Sequence, residues 1–301
     1  MKRLYRFLFI MLVSLALITG SGAALANSLV LSGVPEYLWY HGCSPTSGGM
    51  LMGYWAGHGY ADLLPGVTNP MVQNQAVNYA ISSPEHSVND TWQGHQANCI
   101  ADFMYTIKGG TYGSNIASGL ASWTNYVGLN VQTAAYMNVS LYGGTFDYTA
   151  FQNEIDAGRP MILNVVTDIS GSTVGHSVLA YGYQDNMFNL RVQTRTGFQT
   201  ITVPGFAVMD TWENGVGPWR QAEWQSWSGM TCGILDGNGV EWWPFLDSTL
   251  TYGNDFGNLW DWEVFSGVFY DPDPVHSPVT PTLVLLGSGL LVLLIRRPKM
   301  Q

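Results

Sequence analysis

Basic residues are scarce in this chain: 11 Lys and Arg stand against 21 Asp and Glu across 301 residues, a formal net charge of −10. Lys2, Arg3, Arg6, Arg296, Arg297 and Lys299 crowd into the two ends, leaving Lys108, Arg159, Arg191, Arg195 and Arg220 for everything between. Such a stretch has no patch to neutralise phosphates, which excludes nucleic acid as a partner. Cysteine is nearly absent as well. Cys43, Cys99 and Cys232 are the whole set, so at least one thiol has no intramolecular partner. A Cys99–Cys232 bridge would leave Cys43 free. Strong metal patterns are also lacking. His41 and Cys43 stand apart from His95 and Cys99, with no recognised zinc spacing. Asp62 and Asp102 lie in no loop of spaced oxygen ligands, so capping is their ordinary role. No metal and no cofactor is expected.

The two ends carry targeting features. Lys2, Arg3 and Arg6 precede the apolar run Phe7 to Ile18, and Ala24-Leu25-Ala26 supplies a small-residue cleavage site before Asn27. Residues 1–26 therefore read as a secretory signal peptide. At the other end a Pro-rich linker, 271–281, leads to the uncharged run Thr282 to Ile295 and a basic terminus, with 282–301 read as a hydrophobic membrane segment. That run is shorter than the roughly 20 residues a hydrocarbon core asks for. Its basic end would stay cytoplasmic, which leaves the rest of the chain outside. This end resembles the bacterial PEP-CTERM sorting signal, with Val279-Thr280-Pro281 where such proteins carry Pro-Glu-Pro. The resemblance implies an exosortase-like processing enzyme as a partner, a transmembrane helix, and a location in the cell envelope or released to its surface.

Residues 27–270 are enough for one domain with a real core. Apolar spacing predicts helices over 44–55, 68–81, 98–107, 116–127 and 147–157. The pattern then turns to strands over 161–166, 176–183, 206–210 and 233–235, with late strands around Trp242, Trp243, Trp260 and Trp262. Helices first and a mainly antiparallel sheet second describe an α+β domain.

Three segments carry chemistry. Gly42-Cys43-Ser44-Pro45 sets a cysteine at the start of a predicted helix, where free amide ends favour the thiolate and small residues let the helix pack closely. The ordinary alternative is a buried structural cysteine. His176 opens a strand and would take the proton from Cys43, while Asp210 ends the next strand and would hold the imidazole tautomer. Taken alone, His176 would be a hydrogen-bonded structural residue and Asp210 a turn cap. Trp39, Tyr54, Trp55 and Trp212 would line a cleft or pack as its wall.

Tyr40-His41-Gly42-Cys43-Ser44-Pro45-Thr46-Ser47, Cys99-Ile100-Ala101-Asp102-Phe103-Met104, Glu154-Ile155-Asp156-Ala157-Gly158-Arg159-Pro160, Gly175-His176-Ser177-Val178 and Asp210-Thr211-Trp212 together resemble a papain-fold cysteine peptidase related to the bacteriocin-processing peptidases. The resemblance spans Glu36 to Trp243. It implies Cys43 as nucleophile, His176 as base and then acid, Asp210 as the orienting carboxylate, and a peptide or protein substrate. The family's oxyanion Gln before the nucleophile has no counterpart between Asn27 and Cys43. His41 or Tyr37 would supply that donor, with His41 ranked first. A catalytically inactive binding module and a cell-surface structural protein are the alternatives from other classes.

Overall fold

The computed structural model describes residues 27–89, 94–108, 110–169, 172–194, 197–211, 234–246 and 262–274. Helices come first and an antiparallel sheet follows, the α+β order read from the sequence. The leader, Cys232, Trp212, Trp260 and the terminal segment lie outside the described residues.

The chain enters through a short strand, β1 (Ser28–Val30), and then forms the long helix α1 (Cys43–Gly57). Every residue of α1 from Ser44 to Tyr54 is buried, so it is a core helix rather than an amphipathic surface one. Its glycines make that possible. A Cβ at Gly49 would lie 2.5 Å from Ile81 Cγ1, and one at Gly53 would lie 2.5 Å from the Tyr37 hydroxyl. The expected close packing of this helix is therefore present, and it buries Met50, Leu51 and Met52 completely.

Three short helices follow: α2 (Gln75–Ile81), α3 (Pro84–Asn89) and α4 (Ile100–Phe103). Two of them are shorter than their apolar spacing predicted. The 68–81 helix begins only at Gln75, because the Asn74 side chain accepts the amides of Ala76 and Val77 and fixes the N-cap there. The 98–107 helix stops by Phe103 because Tyr105 takes a φ of 52°, outside the right-handed helical region. Helices α5 (Gly113–Tyr126) and α6 (Tyr148–Asp156) fall close to expectation, α6 capped by Asp147, whose carboxylate accepts the Ala150 amide at 2.8 Å.

The sheet adds β2 (Val131–Asn138), β3 (Met161–Ile169), β4 (Ser172–Thr194), β5 (Gly197–Met209), β6 (Ile234–Leu235), β7 (Glu241–Pro244) and β8 (Glu263–Pro272). Its order is β2-β8-β3-β4-β5-β7-β6, with β1 pairing β4 off this path, and the pairings between these strands are antiparallel. Gly182 is needed where β1 joins: a Cβ there would meet Leu29 O at 2.7 Å. Successive side chains on a strand point to opposite faces, and the two faces carry separate cores. Ile162, Leu179 and Tyr181 pack with α1 in one. Leu163, Val165, Val178 and Ala180 pack with Phe151, Phe206, Trp243 and Trp262 in the other.

Two expectations about the chain's far end change. β8 runs through Pro272 and the Asp273 amide donates to Asn130 O, so the fold continues into the stretch read as linker. The expected transmembrane helix and membrane association are corrected: among the described residues no helix is long and apolar enough to cross a membrane. The run Thr282 to Ile295, shorter than the roughly 20 residues a hydrocarbon core asks for, lies outside those residues.

Candidate functional site

Cys43 is the first residue of α1 and is half-buried. The approach to it is bent: His41 has a φ of 54° and Gly42 a φ of 140°. Gly42 has no side chain to cap the helix, and a Cβ there would meet Pro45 Cγ at 2.9 Å. Thr46 holds the bend instead. Its hydroxyl accepts the Tyr40 amide at 2.9 Å and donates to Gly42 O at 2.7 Å.

A buried chain of polar side chains ties this turn to the sheet. Ser44 donates to Ser177 Oγ at 2.8 Å, Ser177 donates to Asn164 Oδ1 at 2.7 Å, and Asn164 donates to Ser266 Oγ at 3.0 Å. Ser47 adds a bond from its hydroxyl to Ser177 O at 2.9 Å. Buried polar atoms must be paired, so this chain fixes the start of α1 over β4. The residue after Cys43 thus touches the residue after His176. A second tie runs from the Trp39 amide to Thr211 O at 2.8 Å, joining the loop before Cys43 to the residue after Asp210.

His176 pairs with Val165 across β3 and β4, while Ser177 pairs with Asn164. Strand alternation therefore turns the His176 ring to the sheet face opposite the one α1 covers. There it sits 5.8 Å from the Trp262 ring, buried, and burial pushes its pKa from 6.5 down to about 3. Leu179 pairs with Met209. Continued by one residue, that register sets Asp210 opposite Val178 and diagonal to His176 on one face. Cys43 Sγ makes a long contact of 4.0 Å with the Ser44 hydroxyl. Catalytic hydrogen bonds are commonly long before substrate arrives.

Of the two oxyanion candidates, Tyr37 is displaced. Its side chain is fully buried beneath α1, its hydroxyl donates to Pro70 O, and burial raises its pKa. His41 stays half-buried two residues from Cys43, edge-on to the Tyr40 ring at 4.7 Å. Of the aromatic group, Trp39 is 50 % exposed beside the turn. Tyr54 is wall packing: its hydroxyl donates to Gly158 O at 2.7 Å and its ring stacks on His58.

A second constellation was not anticipated. His86, Cys99 and Asp102 bring one potential ligand atom each within 4.8 Å of one another, a composition consistent with cysteine-protease chemistry. His86 Nδ1 lies 2.7 Å from Asp102 Oδ1, and the Cys99 thiol donates to Asp102 Oδ2 at 3.1 Å. Burial pushes the Asp102 carboxyl up, but donors from His86, Asn98 and Cys99 outweigh it and hold it low. Burial and the Asp102 charge push the Cys99 thiol up to about 12. Cys99 carries a free thiol, and Cys232, its considered bridge partner, lies outside the described residues. The sequence offered one clue to this cluster, the approach of His95 to Cys99. His86 lies on a separate short helix that spacing did not reveal.

A family model described as Peptidase_C39 like family matches residues 31–232, well over half of the chain. A comparison with curated proteins found no match. Among solved structures the chain is similar to active wild-type interpain A, a cysteine protease of Prevotella intermedia. The identity is 13 % and the TM-score 0.37, covering 82 % of this chain and 94 % of that chain. That likeness is too distant to carry the papain-like fold in detail.

Proposed function

We propose, from the premise that the chain belongs to the Peptidase_C39 like family, that it hydrolyses peptide bonds with Cys43 as the nucleophile. Its standing as a cysteine peptidase rests on the family. The proposal concerns which thiol acts, with which partners and on what. His176 is the base and then the acid, Asp210 orients it, His41 lends the oxyanion donor, and the substrate is an extracytoplasmic peptide or protein. A papain-like arrangement in detail belongs to this same reading.

One observation carries it: the Ser44–Ser177 hydrogen bond of 2.8 Å, which sets the start of α1 against the stretch of β4 that carries His176. Cys43 is accessible at that junction, whereas Cys99 is fully buried. With its pKa near 3, His176 is neutral at working pH. It therefore acts as a general base at the moment of attack rather than as one half of a standing ion pair. It takes the thiol proton, the sulfur adds to the peptide carbonyl, and His176 returns the proton to the leaving amine. Water then cleaves the thioester, delivering the acid and regenerating the thiol. The second constellation orders its groups differently. Asp102 stands between thiol and imidazole and accepts from both, so the Cys99 proton is held by a carboxylate and its thiolate is disfavoured.

The full-length chain is treated under reducing conditions with a peptide electrophile and read by intact mass. The expected result is a single label, lost in C43S, slowed in H176A and retained in C99S. A label that survives C43S and disappears in C99S would move the chemistry to the buried cluster. Absence of labelling in the native chain would favour a binding or structural protein.

A further inference from the structure

Four side chains converge beside the helical half of the fold: His86 from α3, His95 and Cys99 from the segment before α4, and Asp102 from α4 itself. His86 Nδ1 is 2.7 Å and His95 Nε2 3.4 Å from Asp102 Oδ1, while Cys99 Sγ is 3.1 Å from Oδ2. The His86 and Asp102 side chains are fully buried and that of His95 is 10 % exposed. Two imidazole nitrogens here, His86 Nε2 and His95 Nε2, are buried without a hydrogen-bond partner. The latter points at the carboxylate from the rim. A buried polar atom without a hydrogen bond costs about 1–3 kcal/mol, and a cation seated among these side chains would satisfy His95 Nε2, which already faces the Asp102 carboxylate.

We infer that this cluster is a zinc site, with His86, Cys99 and Asp102 as three ligands and His95, at the rim, as the fourth. Two imidazoles, a thiolate and a carboxylate are the ligand types that tetrahedral zinc takes, at about 2.0–2.3 Å each. Those bond lengths set neighbouring ligand atoms about 3.3–3.6 Å apart. The separations here, 2.7 Å from His86 Nδ1 and 3.4 Å from His95 Nε2 to Asp102 Oδ1 and 3.1 Å from Cys99 Sγ to Oδ2, need an expansion of up to about 0.6 Å to reach those values. Binding is an exchange: the zinc–sulfur bond forms and the Cys99 proton leaves to solvent, while both imidazoles bind neutral and the carboxylate binds as it stands. The Asn98 amide, 3.0 Å from Asp102 Oδ2, and Glu85, 3.5 Å from His95 Nδ1, are placed to orient two of the ligands from outside.

The site's position gives it a role. Ile100 and Met104, on either side of Asp102, are the residues that a Cβ at Gly48 of α1 would strike, at 3.2 and 2.8 Å. A metal here pins the segment on which α1 rests, in a fold whose described cysteines form no disulfide. Zinc is thus a structural staple beneath the helix that presents Cys43, separate from the thiol chemistry itself.

The test uses the full-length chain, stripped with a chelator and then titrated with Zn2+ or Co2+. The expected result is one equivalent bound, a rise in melting temperature on binding, and for Co2+ the visible bands of a tetrahedral site with a near-ultraviolet thiolate band. C99S loses the thiolate band, H95A weakens binding at least about tenfold, and C43S binds as the native chain does. Failure of the native chain to bind, or binding in C99S and H95A equal to native, overturns the inference. If C99S does not fold, H95A, altered at the rim, decides alone. Labelling of Cys43 reports on the peptidase reading independently.

Discussion

Cys43 and Cys99 are the same functional group in opposite surroundings. Cys43 sits half-buried on a bent helix entry, with a threonine hydroxyl holding the turn before it and the Ser44 hydroxyl 4.0 Å from its sulfur. Cys99 is wholly enclosed and donates a hydrogen bond to Asp102, and burial together with the Asp102 charge raises its pKa to about 12. Reactivity and metal affinity ask different things of a thiol. A nucleophile needs access and a neutral base that accepts its proton. A ligand needs several donors already gathered around one point, and the proton can be displaced by the metal itself. In the proposed reading Cys43 answers the first condition and Cys99 the second.

Exchanging serine for each cysteine in turn is the strongest way to break this comparison. C43S should lower peptide hydrolysis by on the order of 10^4-fold or more, with the fold intact by circular dichroism. C99S should leave the rate constant near native in whatever fraction stays folded. Equal losses of activity in two folded variants would erase the distinction between the thiols.

A smaller effect sharpens the first environment alone. His41 occupies a backbone region that non-glycine residues seldom adopt, and such strain persists where the surroundings or the function require it. H41A should lower kcat on the order of 10^2-fold, the cost of one oxyanion donor, with KM little changed. H41G, which removes both imidazole and strain, should lose the same activity while gaining stability. Activity restored in H41G would reduce His41 to a backbone role.

The polar chain beneath Cys43 offers a third lever. S177A removes the partner of both Ser44 and Asn164, leaving buried polar atoms unsatisfied at about 1–3 kcal/mol. Urea unfolding should show that loss, and electrophile labelling of Cys43 should slow because the turn is no longer held against β4. The cobalt spectrum of the Cys99 cluster should not change.

Much of this was legible in the residue order. The run of Ser, Gly and Pro after Cys43 announced a tightly packed helix, and α1 buries all of it from Ser44 onward. The apolar runs at Met161 and His176 announced β3 and β4. What was illegible depends on partners far along the chain. β2, which alternates poorly, becomes a strand because β8 pairs with it from Val131 to Asn138. Ser44, Asn164, Ser177 and Ser266 look like unrelated small polar residues until the sheet register lines up the last three. His86, Cys99 and Asp102 come together only because two short helices fold against each other, a contact that local periodicity does not encode. The facing of His176 belongs here too: the sequence marked the strand, and only the register with Val165 shows which side the ring takes.

That facing sets the gentlest test. In the folded chain the His176 ring stays neutral down to about pH 3, whereas in the unfolded chain it protonates near 6.5. Between those values the unfolded chain binds the extra proton. The stability tied to a neutral His176 is therefore full above about pH 6.5 and falls as the pH drops toward 3, by at most about 1.4 kcal/mol per pH unit. Urea midpoints of the native chain and of H176Q, followed from neutral pH to about pH 4, should converge on the acid side as the native chain loses its advantage. Parallel curves would mean that the ring is already open to protons. His176 would then meet Cys43 as a charged partner, and the mechanism would start from a standing thiolate and imidazolium pair rather than from a neutral base.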